Sequence, residues 1–513
     1  GQQQWEQLEA AGYRLGDLAI RVADVYPGTG LPWYQELANT LHTDTDPAVV
    51  RSLLTVATGT PVEAERIYEA ERQLRAQPFL IEARIVPVRC ADERVDAEVR
   101  VRDAWTLQVG AGFGTAGGES TSSVELKDEN FLGSGKTIFV GWSEGRERTT
   151  EEFGYHDPAV LGSPWTLDAV HWELSDGYGD SLRVAYPVRR VDQVWSVRAE
   201  TEDVRRELEF EQASETAWTA RADSELASVE LRRLVALDDR SGWRAGVGWR
   251  REYYEFGRLE AEEPALRAPP ELVDRRLEGP YIVVERFRDR FRSFRNLRAI
   301  GVTEDYDVGL DVRLEAGRYT DHLGDEDPWF ARVALDDGAA VGEHDLFLAE
   351  LEVSGRYRAD GDWVANYRSL AVDYYHRTSR RNTVVTHGEF DWQDDPDPED
   401  ELYLGGFDGL LAYPDRFRVG DRRWLLHLED RYTSDLILFD TIQVGYTAFL
   451  EAGSIRGLDG EWGDTLADVG AGLRLGSLRS SFGSVSYLTI ALPLVDAGEP
   501  DDYELVVGST LEF

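Results

Sequence analysis

The chain has 513 residues, with 97 Asp+Glu against 55 Lys+Arg and a formal net charge of −42. That excess of acid argues against nucleic acid as a partner, because a polyanion needs a basic face, and against charge-driven docking on an anionic membrane surface. With one cysteine, Cys90, there is no intrachain disulfide and no thiolate metal cluster; the His residues are scattered without a ligand-spaced pair, so no metal and no cofactor are expected.

No run of about 18 apolar residues is present, so no helix is expected to cross a membrane. Mean hydropathy is −0.42, an average that misses transmembrane strands because these alternate apolar and polar residues. Aromatics make up 11% of the chain, including 15 Trp and 22 Tyr, a load that suits the aromatic girdles of a membrane barrel. Methionine is absent even at position 1, as expected of a mature form whose signal peptide has been removed.

Residues 1–16 are expected to form a short helix or a disordered arm. Residues 17–103 read as a compact α+β domain. Leu18–Val25 is its first strand. Asp46-Pro47 starts a helix, with Asp as N-cap and Pro at the first helical position. Thr60-Pro61-Val62-Glu63 is a capping box that opens a helix running to about Ala76, and Pro78 stops it. Phe79–Val88 and Val95–Arg102 alternate as two strands, giving the order β-α-α-β-β.

From residue 104 to 513 the pattern has period two. Trp105, Leu107, Val109, Ala111 and Phe113 alternate with Thr106, Gln108, Gly110, Gly112 and Gly114. Val308–Ala316, Ile442–Glu451 and Val469–Gly476 alternate in the same way. These strands have the length that a tilted membrane strand needs, about 9–11 residues. One face stays apolar while the other carries charge or glycine, as for a barrel with a lipid exterior and a wet lumen. A soluble sandwich also alternates, but the strand length and the unbroken apolar face opposite charge and glycine weigh against it. Residues 255–279, the acidic run Asp394–Glu401 and residues 455–467 read as solvated extracellular loops.

Four motifs then point one way. Asn130-Phe131-Leu132-Gly133-Ser134-Gly135-Lys136, between two alternating strands, resembles the N-x-L-G-x-G first periplasmic turn of the BamA/TamA outer-membrane assembly superfamily. Leu404-Gly405-Gly406-Phe407-Asp408-Gly409-Leu410-Leu411-Ala412-Tyr413-Pro414 resembles its lid-loop signature, and Phe449-Leu450-Glu451-Ala452-Gly453 its F-x-D-x-G strand. Gly508, Leu511 and the terminal Phe513 sit at the spacing of its carboxy-terminal β-signal. Residues 17–103 resemble a single POTRA domain. The resemblance implies a mainly β chain: a transmembrane antiparallel barrel of sixteen strands in the bacterial outer membrane, preceded by one α+β POTRA-like domain in the periplasm. Five alternating segments follow the lid motif, as that pattern requires.

One departure stands out. The lid arginine of the resembled family is Leu411 here, and the glycine after it is Ala412. Glu451 keeps the inward-facing acid that the arginine would meet. Arg416 or Arg418, in the same loop, is expected to supply the cation, because an unpaired buried carboxylate is costly; the alternative is that Glu451 is hydrated in a wet lumen.

Gly133-Ser134-Gly135-Lys136-Thr137 is not a phosphate loop, because Asn130 stands where the first Gly is needed and no helix follows. Gly110-Ala111-Gly112-Phe113-Gly114 has no helix after it either, so a dinucleotide site is excluded. No acid pair sits in a catalytic context, and the chain is not expected to be an enzyme. Three functions remain open. The first is an insertion or assembly factor, in which the glycines at 110, 112 and 114 weaken the seam between first and last strands and unfolded barrel clients add to that edge, with the front domain's sheet edge used likewise. The second is a pore secreting a partner protein, and the third a passive barrel. Expected partners are outer-membrane lipid and lipopolysaccharide with either client class, around a monomeric barrel.

Overall fold

The computed structural model describes residues 2–116, 119–212, 215–261, 267–322, 328–358, 361–406, 409–479, 485–496 and 503–509. Its front domain is a three-stranded sheet of Arg14–Ala23, Leu80–Ala91 and Arg94–Asp103 in the order first-third-second, the outer two parallel and antiparallel to the middle one. Helices Pro47–Leu53 and Ala64–Arg75 pack on it, and Leu15, Val50, Ile67, Leu74, Phe79 and Val99 form the core. Asp46 caps as its type predicts, its carboxylate accepting the Ala48 amide at 2.8 Å.

The capping box does not form. Thr60 is drawn into a strand-like pairing, its carbonyl accepting the Leu15 amide at 2.9 Å. The helix starts at Ala64 instead, and Glu9 caps it from outside, Oε2 accepting the Ala64 amide at 3.0 Å. Glu9 belongs to a helix, Gln2–Ala10, that packs into the domain: Trp5 is buried in the core and its indole donates to the Ile85 carbonyl at 2.9 Å. A further helix, Trp33–Leu41, was not read from the sequence; its signal is the apolar spacing of Trp33, Leu37 and Leu41.

The rest of the described chain closes into an antiparallel barrel. Three short ladder segments, Glu260–Ala261, Asp321–His322 and Leu402–Leu404, continue longer strands after a break. The barrel therefore has 20 strands, not sixteen. Five of these follow the lid motif, beginning with Arg418–Leu438, so the additional strands lie upstream. They escape a motif-based count because neither the lid nor the chain end fixes how many hairpins precede them.

Alternation is realised as inside and outside. On the strand Ile442–Gly457, Tyr446 and Leu450 are exposed outward while Thr447, Phe449 and Glu451 are buried inward. Val109, Leu126, Val247, Ile282, Leu428 and Ile490 expose the same kind of face around the wall. An apolar belt on a closed wall far exceeds the patches that water-soluble monomers tolerate, so it faces lipid. Some strands are much longer than a bilayer needs: Trp195–Gln212 has 18 residues and Glu215–Asp238 has 24, against about 9–11. Their far halves carry Arg205–Asp223 at 2.7 Å and Arg251–Glu225 at 2.7 Å on the outward parity. Such pairs are expelled from hydrocarbon and stand beyond the belt, on the side away from the front domain.

The loops differ from the sequence reading in two respects. Strands Ser241–Phe256 and Arg275–Arg288 take up both ends of the 255–279 segment, and Gly457 and Leu466 likewise narrow the 455–467 loop. The acidic run at 394–401 is no free surface. Arg356 forks onto Asp397 at 2.6 and 2.7 Å, Arg267 forks onto Glu401 at 2.6 and 3.0 Å, and Arg275 pairs with Glu399. Arg275 and Arg356 from strands and Arg267 from a loop fold this run over the far mouth, which the run's composition does not reveal.

Candidate functional site

The barrel is closed by a thin seam. Leu107–Ala116 and Glu504–Ser509 meet through two register pairs, Val506↔Gly114 and Val507↔Phe113, among the described residues. Other neighbouring full strands share six or more. Gly110, Gly112 and Gly114 lie on the inward parity, opposite exposed Leu107, Val109 and Phe113. A Cβ on Gly112 would stand 2.6 Å from the Ser123 hydroxyl, so the neighbouring strand is packed where a side chain would be. Gly508 lies in the last strand with open space around it; Leu511 and Phe513 fall outside the described residues. Inside the seam lies a cavity of about 630 Å³ lined by Gly112, Ser123, Glu147, Glu211, Arg416 and Val507.

The lid loop folds into the lumen from the far mouth. Gly405, Gly406 and Gly409 hold φ of 123°, 60° and 94°, conformations that favour glycine. A Cβ at Gly405 would lie 2.3 Å from the Pro414 carbonyl, so the two limbs of the loop touch there. Phe407 and Asp408 are outside the described residues. At the tip, Leu411 and Ala412 are buried, and their amides donate to Glu451 Oε2 at 3.1 Å and Asp468 Oδ2 at 3.0 Å. The Tyr413 hydroxyl reaches the carbonyls of Ala467 and Val495 at 2.9 and 3.0 Å.

The expected cation is not there. Arg416 pairs with Glu147 and, at 3.1 Å, with Glu211 across the cavity; Arg418 donates to the Asp464 carbonyl at 2.7 Å. Glu451 is met instead by His427 Nδ1 at 2.9 Å and by the Leu411 amide. Successive backbone amides at a tight turn form an anion-binding concavity without any side chain, so Leu411 and Ala412 serve through their main chains. Residue type along the loop could not reveal that.

From Glu451 a buried polar chain runs down two adjacent strands. His427 Nε2 lies 3.4 Å from Glu429 Oε2, Arg431 Nε donates to the same oxygen at 2.6 Å, and Thr447 also donates to Glu429. Arg431 Nη1 then donates to the Leu297 carbonyl at 2.9 Å.

Leu297 belongs to a second lumen loop, which sequence reading missed. Between Arg275–Arg288 and Leu310–Arg318 the chain forms a small hairpin, Phe291–Arg295 with Thr303–Asp307. It enters from the front-domain mouth and crosses the lumen. Arg298 donates to the Tyr375 hydroxyl at 2.7 Å and to Asp373 at 2.9 Å, while its carbonyl accepts from Arg474 at 2.6 Å. Ile300 is buried with Val485 and Tyr487. Gly445 and Gly476 leave room for it; a Cβ at 476 would stand 2.4 Å from Ile300. Val308, expected on the outward face of a strand, packs with Phe294 and Leu297 at the hairpin base. Two short alternating runs about Gly301 were the available signal.

The front domain seats on the same mouth. Asn130, first residue of the turn motif, donates through Nδ2 to Thr45 Oγ1 at 2.9 Å and accepts the Gly135 amide at 2.7 Å. Thr45 in turn donates to Asp103 through its amide and hydroxyl at 2.8 and 2.7 Å, and His42 Nε2 lies 2.9 Å from that carboxylate. A Cβ on Gly133 would lie 2.3 Å from the Asp44 carbonyl, and one on Gly135 2.6 Å from Val49. The motif's glycines are thus where domain and barrel approach. Gly135→Ala, at φ 68°, is expected to cost about 1–3 kcal/mol and to speed proteolytic cleavage at the joint while the barrel's melting temperature holds.

Nearby, Glu69 accepts the Val191 amide at 3.1 Å. Burial pushes its carboxyl above the ordinary range, with Asp289 adding to the effect. A raised folded value means that stability is fully present below about pH 4.5 and is lost as pH rises through the folded value. Glu69→Gln should therefore flatten the melting temperature of the joint between acid and neutral pH.

At Ile85 the outer edge of Leu80–Ala91 is occupied: the amide donates to Glu71 at 2.7 Å and the carbonyl accepts from Trp5. On the opposite edge Leu15 is bound by residues 59 and 60, and no strand pairs outside Leu18–Ala23 among the described residues.

No protein-family model matches the chain and no curated protein matches it. Solved structures do. CdiB from Escherichia coli is 15% identical with a TM-score of 0.46, covering 96% of this chain and 76% of that one. CdiB from Acinetobacter baumannii is 11% identical with a TM-score of 0.44, covering 97% and 74%. BamA from Haemophilus ducreyi lacking POTRA domains 1–3 is 11% identical with a TM-score of 0.40, covering 96% and 85%. The likeness is one of fold, and distant.

Proposed function

We propose that this chain is an outer-membrane barrel of the BamA/TamA kind, front domain in the periplasm, and that it assembles other barrels into the membrane through its seam. The observation that carries the reading is the two-pair closure between Leu107–Ala116 and Glu504–Ser509. Backbone groups left unpaired in lipid cost several kcal/mol each, so such an edge is a template for an incoming strand. Leu18–Ala23 of the POTRA-like front domain is the edge left for a client in transit. Lid and hairpin both obstruct the lumen, which weighs against a standing passive pore.

Export of a partner protein through the lumen is the second reading. It is favoured by the strand count: barrels of 16–18 strands already enclose an aqueous channel, and this one has 20. Depletion of the protein followed by outer-membrane proteomics separates the two. Loss of many barrels from the membrane is expected; unchanged barrels with one secreted protein missing from the medium would replace assembly by export. Lipid, lipopolysaccharide and a monomeric state complete the proposal.

A further inference from the structure

Why does a lumen hairpin exist at all, when a two-stranded ribbon alone is marginally stable in water? Its two ends answer differently. The tip is held by wall arginines on backbone carbonyls, Arg431 on Leu297 and Arg474 on Arg298, at 2.9 and 2.6 Å, by Thr383 on the Asn296 carbonyl, by Arg298 on Tyr375 and Asp373, and by Ile300 in its apolar slot, with Phe294 and Leu297 packed among Leu346, Tyr375 and Val385. Lumen water can replace each of those carbonyl contacts. The base is gripped from outside the barrel by one helix of the front domain, Ala64–Arg75. Arg75 donates twice to Asp305, at 2.8 and 3.0 Å, and Asp305 also accepts from Ser293, so both limbs of the hairpin are tied. Arg72 stacks on Phe291 at 3.5 Å and stands 3.7 Å from Asp289. Arg240, from the neighbouring barrel turn, joins the same carboxylate and lies 3.9 Å from Glu65 of that helix. The hairpin connects to the wall by only residues 289–290 and 308–309. The hairpin is thus joined covalently to the wall by two short links, rests its tip on the wall through side-chain contacts, and is gripped at its base by two arginines of the front domain.

We propose that the front domain works the hairpin as a plug: seated, it holds residues 291–307 in the lumen; displaced, it withdraws them and opens the periplasmic mouth. This rests on the reading of the chain as a membrane-spanning barrel, and holds for either client class.

Single-channel conductance of the full-length protein in planar bilayers tests it, with folding of each variant checked by heat-modifiable gel mobility. The wild type should stay closed for most of a recording. Arg72→Ala with Arg75→Ala should raise open time at least tenfold, and Asp305→Asn, which loosens the grip from the hairpin side, should do the same should the double variant fold poorly. Pinning the tip to the wall with Ile300→Cys and Tyr487→Cys in a Cys90→Ser background should hold the channel shut whatever is done at the grip, until a reductant is added. Replacing 291–307 by a glycine-serine link should raise open time at least as far as the grip variants do. An open pore in the link variant with wild-type closure in the grip variants would overturn the coupling. A link variant as closed as the wild type would show that the lid, not the hairpin, sets closure, and would overturn the plug. Neither result touches the assembly reading, which is judged by barrel levels in the membrane.

Discussion

Arg431→Ala is expected to destabilise the barrel by about 3–5 kcal/mol, the range for removing one partner of a buried ion pair. Glu429 is 3% exposed and Arg431 8%, and the two are joined by a donation at 2.6 Å from Nε with Nη2 also within 2.6 Å. Without the guanidinium, Glu429 keeps Thr447 and His427 but loses the cation that meets it through two nitrogens. The stranded charge, rather than the lost attraction, sets the size of the effect. Replacing both members by apolar residues of similar volume, Glu429→Leu with Arg431→Met, should recover most of the loss, since such swaps in buried pairs are often neutral or stabilising. The measurement is denaturant unfolding in liposomes, read by the shift from compact to extended gel mobility. Unchanged unfolding in Arg431→Ala would mean that water floods this part of the lumen and solvates Glu429. Arg431 also holds the Leu297 carbonyl, a contact that lumen water can replace, so neither variant should leak current while the front-domain grip is intact. Stability and gating therefore separate in the single variant.

The residues that sequence reading placed well are those whose signal is local. Period-two alternation put Glu451 on the inside because Tyr446 and Leu450 had to face out. The glycines of the lid were legible because a positive φ is a property of one residue. What failed was contact across the lumen. Arg416 shares the lid loop with the residues that meet Glu451 yet pairs with Glu147 and Glu211, whereas His427 reaches Glu451 from the next strand at register His427↔Glu451. That partner needs pairing knowledge, not loop spacing. The strand count failed for a related reason. In Trp195–Gln212, residues such as Arg198, Glu200 and Asp203 place charge on both faces, because this strand stands partly above the bilayer, and a wall wetted on both sides has no reason to alternate. The hairpin at 291–307 is short enough to pass for a turn, and nothing within it tells that its tip will meet strands on the opposite wall.

Oxidation of Phe113→Cys with Val507→Cys, in the Cys90→Ser background, is expected to abolish barrel assembly, and reduction to restore it. The two residues are register partners at the seam. Antiparallel partners have Cα separations of about 4.5–5.5 Å, inside the span that a disulfide bridges, and Cys90 is the sole native thiol. Each ladder hydrogen bond contributes about 0.5–1.5 kcal/mol net in water and more in hydrocarbon, where the alternative is an unsatisfied group. A seam with two register pairs among the described residues can therefore open at a cost that a client strand offsets as it pairs, whereas a neighbouring ladder of six or more pairs cannot. A covalent link removes that opening while leaving lumen, lid and hairpin untouched. If assembly were to proceed with the link shown intact by mass spectrometry, the seam would have no part in it. If instead a secreted partner still crossed the membrane while the link held, the lumen would be the route and the wide barrel, rather than its weak edge, the working part.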